Sequence, residues 1–232
     1  MSELSVFRTE NKYLLNFAEA SQLRARLDKL LKKDKYSQNG AYVVRSLYLD
    51  TVENSDYHEK LAGTEIRKKI RIRSYSPDDE VCKLEIKQKN GDLQHKVSLL
   101  ISREDAVEIS RGNFSVMFDY FDKSPNAAYI YSELCLGIYR PVALIEYDRI
   151  AYMHELYSTR ITFDMNVRSN ESYFDLFDTQ PIFTPVFDNM VVLEVKYNGV
   201  LLDSISKALE PFNLTRTSVS KYCLGRKIYF DL

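Results

Sequence analysis

The stretch that decides the fold is EIRKKIRIRSY, residues 65–75, in which isoleucines alternate with Lys69, Arg71 and Arg73. Side chains on a β-strand point to opposite faces with a period of two, so these three cations share one face. The isoleucines between them occupy the other face. The alternation therefore predicts a strand with one basic side and one apolar side.

The next two segments repeat this pattern. Residues 81–89 (VCKLEIKQK) place Lys87 on one face with Glu85 and two further lysines. The Ser-Pro-Asp-Asp turn before this segment favours an antiparallel hairpin, which sets two basic faces side by side. An Asn-Gly turn then leads into residues 93–101, a third predicted strand that contains Lys96.

Strand character continues along the chain, in residues 7–16, 42–50, 141–151, 160–168 and 190–198. Apolar stripes and capping residues predict helices over residues 19–33, 103–111, 126–136 and 204–209. Residues 169–189 are expected to form a long surface excursion. Eight strands are the number at which a closed barrel gains a useful interior. We expect an α+β, mainly β, fold: an eight-stranded antiparallel β-barrel with a polar, basic interior and helices packed outside.

Composition limits the classes of protein that fit. A chain of 232 residues with 45% hydrophobic residues and a formal net charge of -1 fits a single globular domain over residues 1–232. That charge does not indicate a nucleic-acid or membrane binder. The cysteines and histidines are scattered, which argues against a disulfide framework or a zinc site. The charged start of the chain and the absence of a long apolar run predict a reducing, cytoplasmic location.

The motifs of several other chemistries do not occur: the sequence has no GxxxxGK[ST], GxGxxG, GxSxG or HExxH. The basic faces remain as the feature to explain. On one strand a solvated polar face is the ordinary explanation. Like charges opposite each other destabilise a ladder, so several neighbouring strands with aligned Lys and Arg require a counter-anion. The residues alone predict an anion-binding barrel and leave its ligand open.

Carboxylates accompany the cations at alternate positions. Glu10 shares a strand face with Lys12, and Glu194 shares one with Lys196. A divalent cation such as Mg²⁺ or Mn²⁺ takes oxygen ligands from one or two carboxylates, from substrate phosphates and from water. Glu194 is the first candidate for a metal ligand and Glu10 the second. An ordinary ion pair with a neighbouring Lys or Arg is the alternative role for Glu194.

Short motifs occur in order along almost the whole chain: RTENKY at 8–13, SLYLD at 46–50, KLAG at 60–63, KIRIRSY at 69–75, LEIK at 84–87, YDRIAY at 147–152, RITFD at 160–164, LEVK at 193–196 and SKY at 220–222. Together they resemble the VTC domain of polyphosphate polymerases. That family belongs to the triphosphate tunnel metalloenzyme, or CYTH-like, superfamily. Each motif alone is weak, but the ordered set is specific.

The resemblance implies an eight-stranded tunnel that transfers the γ-phosphoryl group of ATP to a growing inorganic polyphosphate chain, with Mn²⁺ or Mg²⁺ as cofactor. The cations expected to act on the reacting phosphates are Lys12, Arg71, Arg73, Lys87, Arg149 and Arg160. Those expected to bind phosphate are Lys60, Lys69, Lys96, Lys196 and Lys221. The resemblance implies Glu194 as the metal carboxylate. Lys69, Lys196 and Glu10 join the set because they share strand faces with the others.

Three alternatives to a polymerase stay open at this point. A triphosphate hydrolase or cyclase could use the same scaffold, since a fold does not determine a function. A non-catalytic module could bind polyphosphate or inositol phosphates. Nucleic-acid binding is disfavoured, because the cations alternate on strands without exposed aromatic residues for base stacking. The expected partners are ATP and polyphosphate, and a membrane-protein partner is not readable from the residues.

Overall fold

The structure is a computed structural model that describes residues 8–91 and 93–230. Its strands are β1 Arg8–Asn16, β2 Lys32–Lys33, β3 Tyr42–Asp50, β4 Ile66–Ser74, β5 Val81–Asn90, β6 Leu93–Ser102, β7 Arg140–His154, β8 Thr159–Asn170, β9 Thr184–Pro185 and β10 Met190–Asn198. Its helices are α1 Phe17–Leu27, α2 Ser55–Ala62, α3 Arg103–Ser110, α4 Pro125–Leu136, α5 Asp203–Leu209 and α6 Lys221–Phe230. Two predicted positions lie outside the described residues: Phe7 in the first strand and Asp92 after the Asn-Gly turn.

The described residues divide into two compact units, each of which contains part of the sheet. The first unit comprises residues 8–43, 147–167 and 187–220, and the second comprises 44–146, 168–186 and 221–230. Strands β3, β7 and β8 each pass from one unit into the other. The single domain predicted for residues 1–232 stays a prediction.

The first unit contains strands in the order β1, β10, β8 and β7, with β2 paired to β7. Pairing of β10 with both β1 and β8 is antiparallel. Alternate residues of these strands point into an apolar core that α1 and α5 cover, through buried side chains such as Leu23 and Ile205. The opposite face carries Glu10, Lys12 and Glu194, so the predicted segregation of apolar and charged faces is confirmed for this unit.

The second unit contains strands in the order β7, β3, β4, β5 and β6. The pairings along β3, β4, β5 and β6 are antiparallel, and both predicted hairpins are present. Ile70, Ile72 and Leu84 are fully buried in a core closed by α3, α4 and the 3₁₀ turn at Phe114–Tyr120. Arg71 on the same strand points to the other face, where it meets charged neighbours. The EIRKKIRIRSY stretch thus has one apolar and one basic side, as predicted.

The predicted fold class is confirmed: the chain is mainly an antiparallel sheet with helices on its apolar side. Over the part of the chain that the structure describes, the strand order starts at β1, ends at β6 and does not return to its first strand. The sheet is therefore open, and the word barrel applies only loosely. No helix in the same residues has the length and apolar character needed to cross a membrane.

Three details differ from the sequence prediction. The helix predicted over residues 19–33 starts earlier, at Phe17, because Asn16 and Glu19 form a capping box, and it ends at Leu27. Beyond it, Lys32 and Lys33 are held as strand partners of β7. Residues 169–189 are not wholly a surface excursion, since Leu176 and Phe177 in that segment are buried in the second unit's core. Helices α2 and α6 were not predicted at all.

Candidate functional site

In the second unit the charged face converges on one buried carboxylate, Glu85 on β5. Its side chain is 1% exposed. Arg71 on β4 donates to it through Nε at 2.8 Å and through Nη2 at 2.7 Å. Arg73 reaches the same oxygen at 3.8 Å, and the Lys96 ammonium on β6 contacts the other one. Three cations from two strands therefore surround one negative charge, which leaves a local positive excess.

The surrounding positive charge lowers the pKa of Glu85. Burial alone raises the pKa of a carboxyl group, but the positive charges of Arg71, Arg73 and Lys96 outweigh it and hold the pKa of Glu85 well below its usual range. Glu85 is therefore a carboxylate at neutral pH. It fixes the direction of the two guanidinium groups, which in turn can present their remaining N–H donors to an anion.

Tyr48 on β3 extends this cluster. Its hydroxyl accepts a hydrogen bond from Nη1 of Arg71 at 3.1 Å, and Ser46 on the same face lies 3.4 Å from Nε of Arg73. Burial raises the pKa of the Tyr48 phenol, but the charges of Arg71, Arg73 and Lys221 outweigh it and lower the pKa below its ordinary value. Sequence analysis missed this role, although Ser46 and Tyr48 alternate with buried leucines in SLYLD, a period-two signal that could have revealed it.

The remaining predicted cations of the second unit lie on four elements. Lys69 faces Lys87 across the β4–β5 ladder, and Lys87 faces Lys96 across β5–β6. Lys60 lies in the last turn of α2, and Lys221 is the first residue of α6. Five of the predicted residues thus lie on one sheet face in this unit: Lys69, Arg71, Arg73, Lys87 and Lys96.

In the first unit two carboxylates and two lysines form one cluster on neighbouring strands. The ladder pairs Glu10 with Lys196 and Lys12 with Glu194. The Lys196 ammonium lies 2.5 Å from a Glu194 oxygen and 3.3 Å from a Glu10 oxygen, and Lys12 lies 3.3 Å from the other Glu10 oxygen. Lys12 also donates to the backbone carbonyl of Val219 at 3.4 Å. The two predicted metal carboxylates therefore come together, and Lys196 links them.

The carboxylates of Glu10 and Glu194 fit a divalent metal ion that takes only two ligands from the protein. Among the described residues no group of three or more Asp, Glu, His or Cys side chains is arranged to hold a metal ion. Two carboxylates are what Mg²⁺ or Mn²⁺ commonly takes from a protein when phosphates and water fill the other positions. The position between Glu10 and Glu194 already attracts a cation, since an ammonium group occupies it.

Arg149 and Arg160 in the first unit are each engaged with an aspartate. Arg149 binds Asp164 through two bonds, Nε at 2.6 Å and Nη2 at 2.8 Å, and its guanidinium lies 5.1 Å from the Tyr147 ring centre. Nη2 of Arg160 donates to Asp34 at 3.0 Å. These carboxylates orient the arginines but also neutralise part of their charge. The sequence did not predict either partner.

A buried polar network in the second unit was also missed. Asp50, at the end of β3, is fully buried and accepts hydrogen bonds from the backbone N–H groups of Thr51, Asp56 and Tyr57 at 2.7–3.0 Å. The Tyr222 hydroxyl donates to it as well. Asp50 therefore caps the start of α2 and binds the first turn of α6, the two helices that carry Lys60 and Lys221.

Asp56 in this network makes folding stability depend on pH. Burial and the nearby Asp50 charge raise the pKa of Asp56 to about 8, against the opposing effects of the Tyr139 hydrogen bond and Lys68. In the unfolded chain the same carboxyl ionises near pH 4. Between these values the folded state holds a proton that the unfolded state lacks, so this contribution to stability is full below about pH 4 and is lost as pH rises through about 8.

We expect urea unfolding to show this effect. Between about pH 5 and about pH 9 the wild type should lose on the order of a few kcal/mol relative to Asp56→Asn, which cannot ionise. Asp119→Asn, a change at an exposed aspartate, should follow the wild type and serves as the control. Parallel pH profiles for the wild type and Asp56→Asn would show that Asp56 is ionised throughout.

We compared the chain with known structures and protein families. Its fold is similar to the crystal structure of a candidate adenylate cyclase from Bacillus halodurans, with a TM-score of 0.50, 12% sequence identity, and coverage of 92% of this chain and 95% of that one. The PH1819 protein of Pyrococcus horikoshii OT3 aligns with a TM-score of 0.47 and 14% identity over 94% of this chain and 97% of that one. At these identities the likeness concerns the fold alone.

The family is shown by the sequence. A family model of the VTC domain matches residues 7–230, nearly the whole chain. The chain belongs to the VTC domain family, and the predicted resemblance to that family is confirmed. A search of curated proteins finds no match.

Proposed function

We propose that this chain is a polyphosphate polymerase that transfers the γ-phosphoryl group of ATP to the end of an inorganic polyphosphate chain. The observation that carries the proposal is the convergence of Arg71, Arg73 and Lys96 on the single buried carboxylate of Glu85. A preorganised positive excess of this kind matches the charge that spreads over phosphoryl oxygens in the transition state. Membership of the VTC domain family supports the choice of substrates.

In the proposed reaction a terminal oxygen of the acceptor chain attacks the γ-phosphorus of ATP. The bond between that phosphorus and the β–γ bridging oxygen breaks, and ADP leaves with the electron pair. Phosphoryl transfer asks a protein mainly for positioning and charge stabilisation. Arg71 and Arg73, held by Glu85, would bind phosphate oxygens and orient the reacting group. Within the first unit, Arg149 is held in a two-point bond by Asp164 and would bind phosphate as a fixed cation.

Glu10 and Glu194 are the residues that would hold a divalent metal. When bound, Mg²⁺ or Mn²⁺ supplies charge neutralisation of phosphate oxygens. The Lys196 ammonium, which lies between the two carboxylates, would then be available to phosphate oxygens as well. We also propose that residues 1–232 act as one domain, because the family match runs through both compact units.

The decisive experiment incubates the purified protein with ATP and Mn²⁺ and separates the products. We expect long-chain polyphosphate and ADP. Glu194→Gln should lower the rate by about 10²-fold or more and remove the dependence on added metal, because it deletes one of two carboxylate ligands. Glu104→Gln, a change at an exposed glutamate on α3, should behave as wild type.

Other products would contradict the proposal in distinct ways. Free phosphate as the main product would identify a triphosphate hydrolase, and a cyclic nucleotide would identify a cyclase. Tight binding of polyphosphate without turnover, under any divalent metal, would identify a binding module. A Glu194→Gln protein that keeps full, metal-dependent activity would exclude Glu194 as a ligand.

A further inference from the structure

The charged face of β4, β5 and β6 continues past the cluster around Glu85 towards the end of the β5–β6 hairpin. Residues paired across these strands form successive rows on that face: Arg73–Lys83, Arg71–Glu85–Ser98, Lys69–Lys87–Lys96 and Arg67–Lys89–Gln94. Same-face neighbours on a strand lie roughly 7 Å apart, so the Arg67 row lies roughly 13 Å from the Arg71 row. This is farther than the three phosphates of one ATP extend.

The charges in these rows are unevenly balanced. Glu85 is the one carboxylate in the four rows, and Arg71, Arg73 and Lys96 share it. In the last row a cation faces a cation directly across the ladder, Arg67 opposite Lys89. The row before it likewise sets lysine beside lysine. Like charges in such positions destabilise a sheet unless an anion neutralises them.

The two cations of the last row are positioned to meet a ligand. Arg67 and Lys89 are both partly buried, so their side chains are confined rather than fully solvated. Nη1 of Arg67 donates to the carbonyl of Thr64, which fixes the guanidinium near the start of β4. The carboxylate that lies beyond them, Glu65, is exposed and sits beside Gly91 in the turn.

We propose that Arg67 and Lys89 form a distal subsite that binds inorganic polyphosphate through phosphates beyond the first three. The subsite rests on the proposed function in one respect, the binding of phosphate to this sheet face. It makes the protein prefer a long acceptor chain to tripolyphosphate, because only the long chain reaches both the Arg71 row and the Arg67 row. Lys69 and Lys87 supply the continuous cation path between the two rows.

The test compares the binding of two pure ligands, tripolyphosphate and long-chain polyphosphate, by titration calorimetry without ATP or metal. In Arg67→Gln/Lys89→Gln the Kd for long-chain polyphosphate should rise about tenfold, while the Kd for tripolyphosphate should stay within about twofold of wild type. Binding of the long chain should also depend less on salt. The slope of log K against log salt concentration should become less steep by about one to two, because two phosphate contacts are lost.

The matched control is Arg111→Gln/Lys123→Gln, which removes the same charge at two exposed positions of the same unit. It should change neither Kd. If the double variant unfolds, Lys89→Gln alone should still weaken binding of the long chain selectively, by about threefold. An equal loss for both ligands, or no loss for either, would overturn the subsite.

This test and the polymerase assay fail independently. A protein that binds the long chain selectively but makes no polyphosphate contradicts the proposed function and keeps the subsite. A protein that makes polyphosphate, yet binds both ligands equally in all variants, keeps the function and loses the subsite.

Discussion

Arg71→Ala should lower the rate of polyphosphate formation by about 10³-fold, measured as kcat/KM for ATP in the presence of Mn²⁺. Arg71 is held at three points on the sheet face, with two nitrogens on Glu85 and a third on Tyr48. Its guanidinium therefore loses little freedom when it meets phosphate, and its removal deletes a preorganised charge.

The variant should remain folded, which makes the result interpretable. Glu85 keeps Lys96 and Arg73 as partners when Arg71 is truncated, so no buried carboxylate is left alone. Arg71→Lys should recover part of the rate, because it restores charge without the planar fork. Arg111→Ala, at an arginine side chain that is 71% exposed, is the control and should leave the rate unchanged. Full activity in a folded Arg71→Ala protein would remove this cluster from the mechanism.

Local alternation made the basic strands predictable. Side-chain direction along a strand depends only on parity, so Lys69, Arg71 and Arg73 could be assigned to one face from the sequence alone. The same rule placed Glu194 and Lys196 together, and the structure puts their charged groups in contact. Turn residues then identified two hairpins, the first of which sets Arg71 beside Glu85. The second brings Lys96 to the same face.

Partners distant in the chain were not predictable in this way. Arg149 and Asp164 lie on different strands, and Arg160 meets Asp34 from a segment 126 positions earlier. Parity gives the face of each residue but not the neighbour across the ladder, which depends on strand order and register. The sequence therefore indicated these two cations but not the aspartates that hold them.

Helix α2 was missed for a related reason. The start of α2 has no capping bond from its own N-cap, Asn54, so the usual sequence signal is missing. Asp50 supplies the acceptor instead, from the end of a strand. Such a cap becomes visible only when the strand and the helix are seen together.

Asp50→Ala should have the largest effect on stability. The change leaves three backbone N–H groups and the Tyr222 hydroxyl without their acceptor in a buried site. We expect a loss of roughly 3–5 kcal/mol and a fall in Tm of about 10 °C, measured by thermal and urea unfolding. Asp119→Ala, at an exposed position, should change the Tm by no more than about 2 °C.

Tyr222→Phe separates stability from positioning. It removes the bond that the Tyr222 hydroxyl donates to Asp50 and the bond that this hydroxyl accepts from Nη1 of Arg226, at a cost of about 1–2 kcal/mol. The cap of α2 stays intact. The Tyr222 ring still stacks on Tyr48 at 5.0 Å, so α6 should remain folded with its first residue, Lys221, less firmly held. If Asp50 positions Lys221 for phosphate, KM for ATP should rise several-fold with a smaller change in kcat. Wild-type KM and kcat in this variant would restrict Asp50 to a purely structural role.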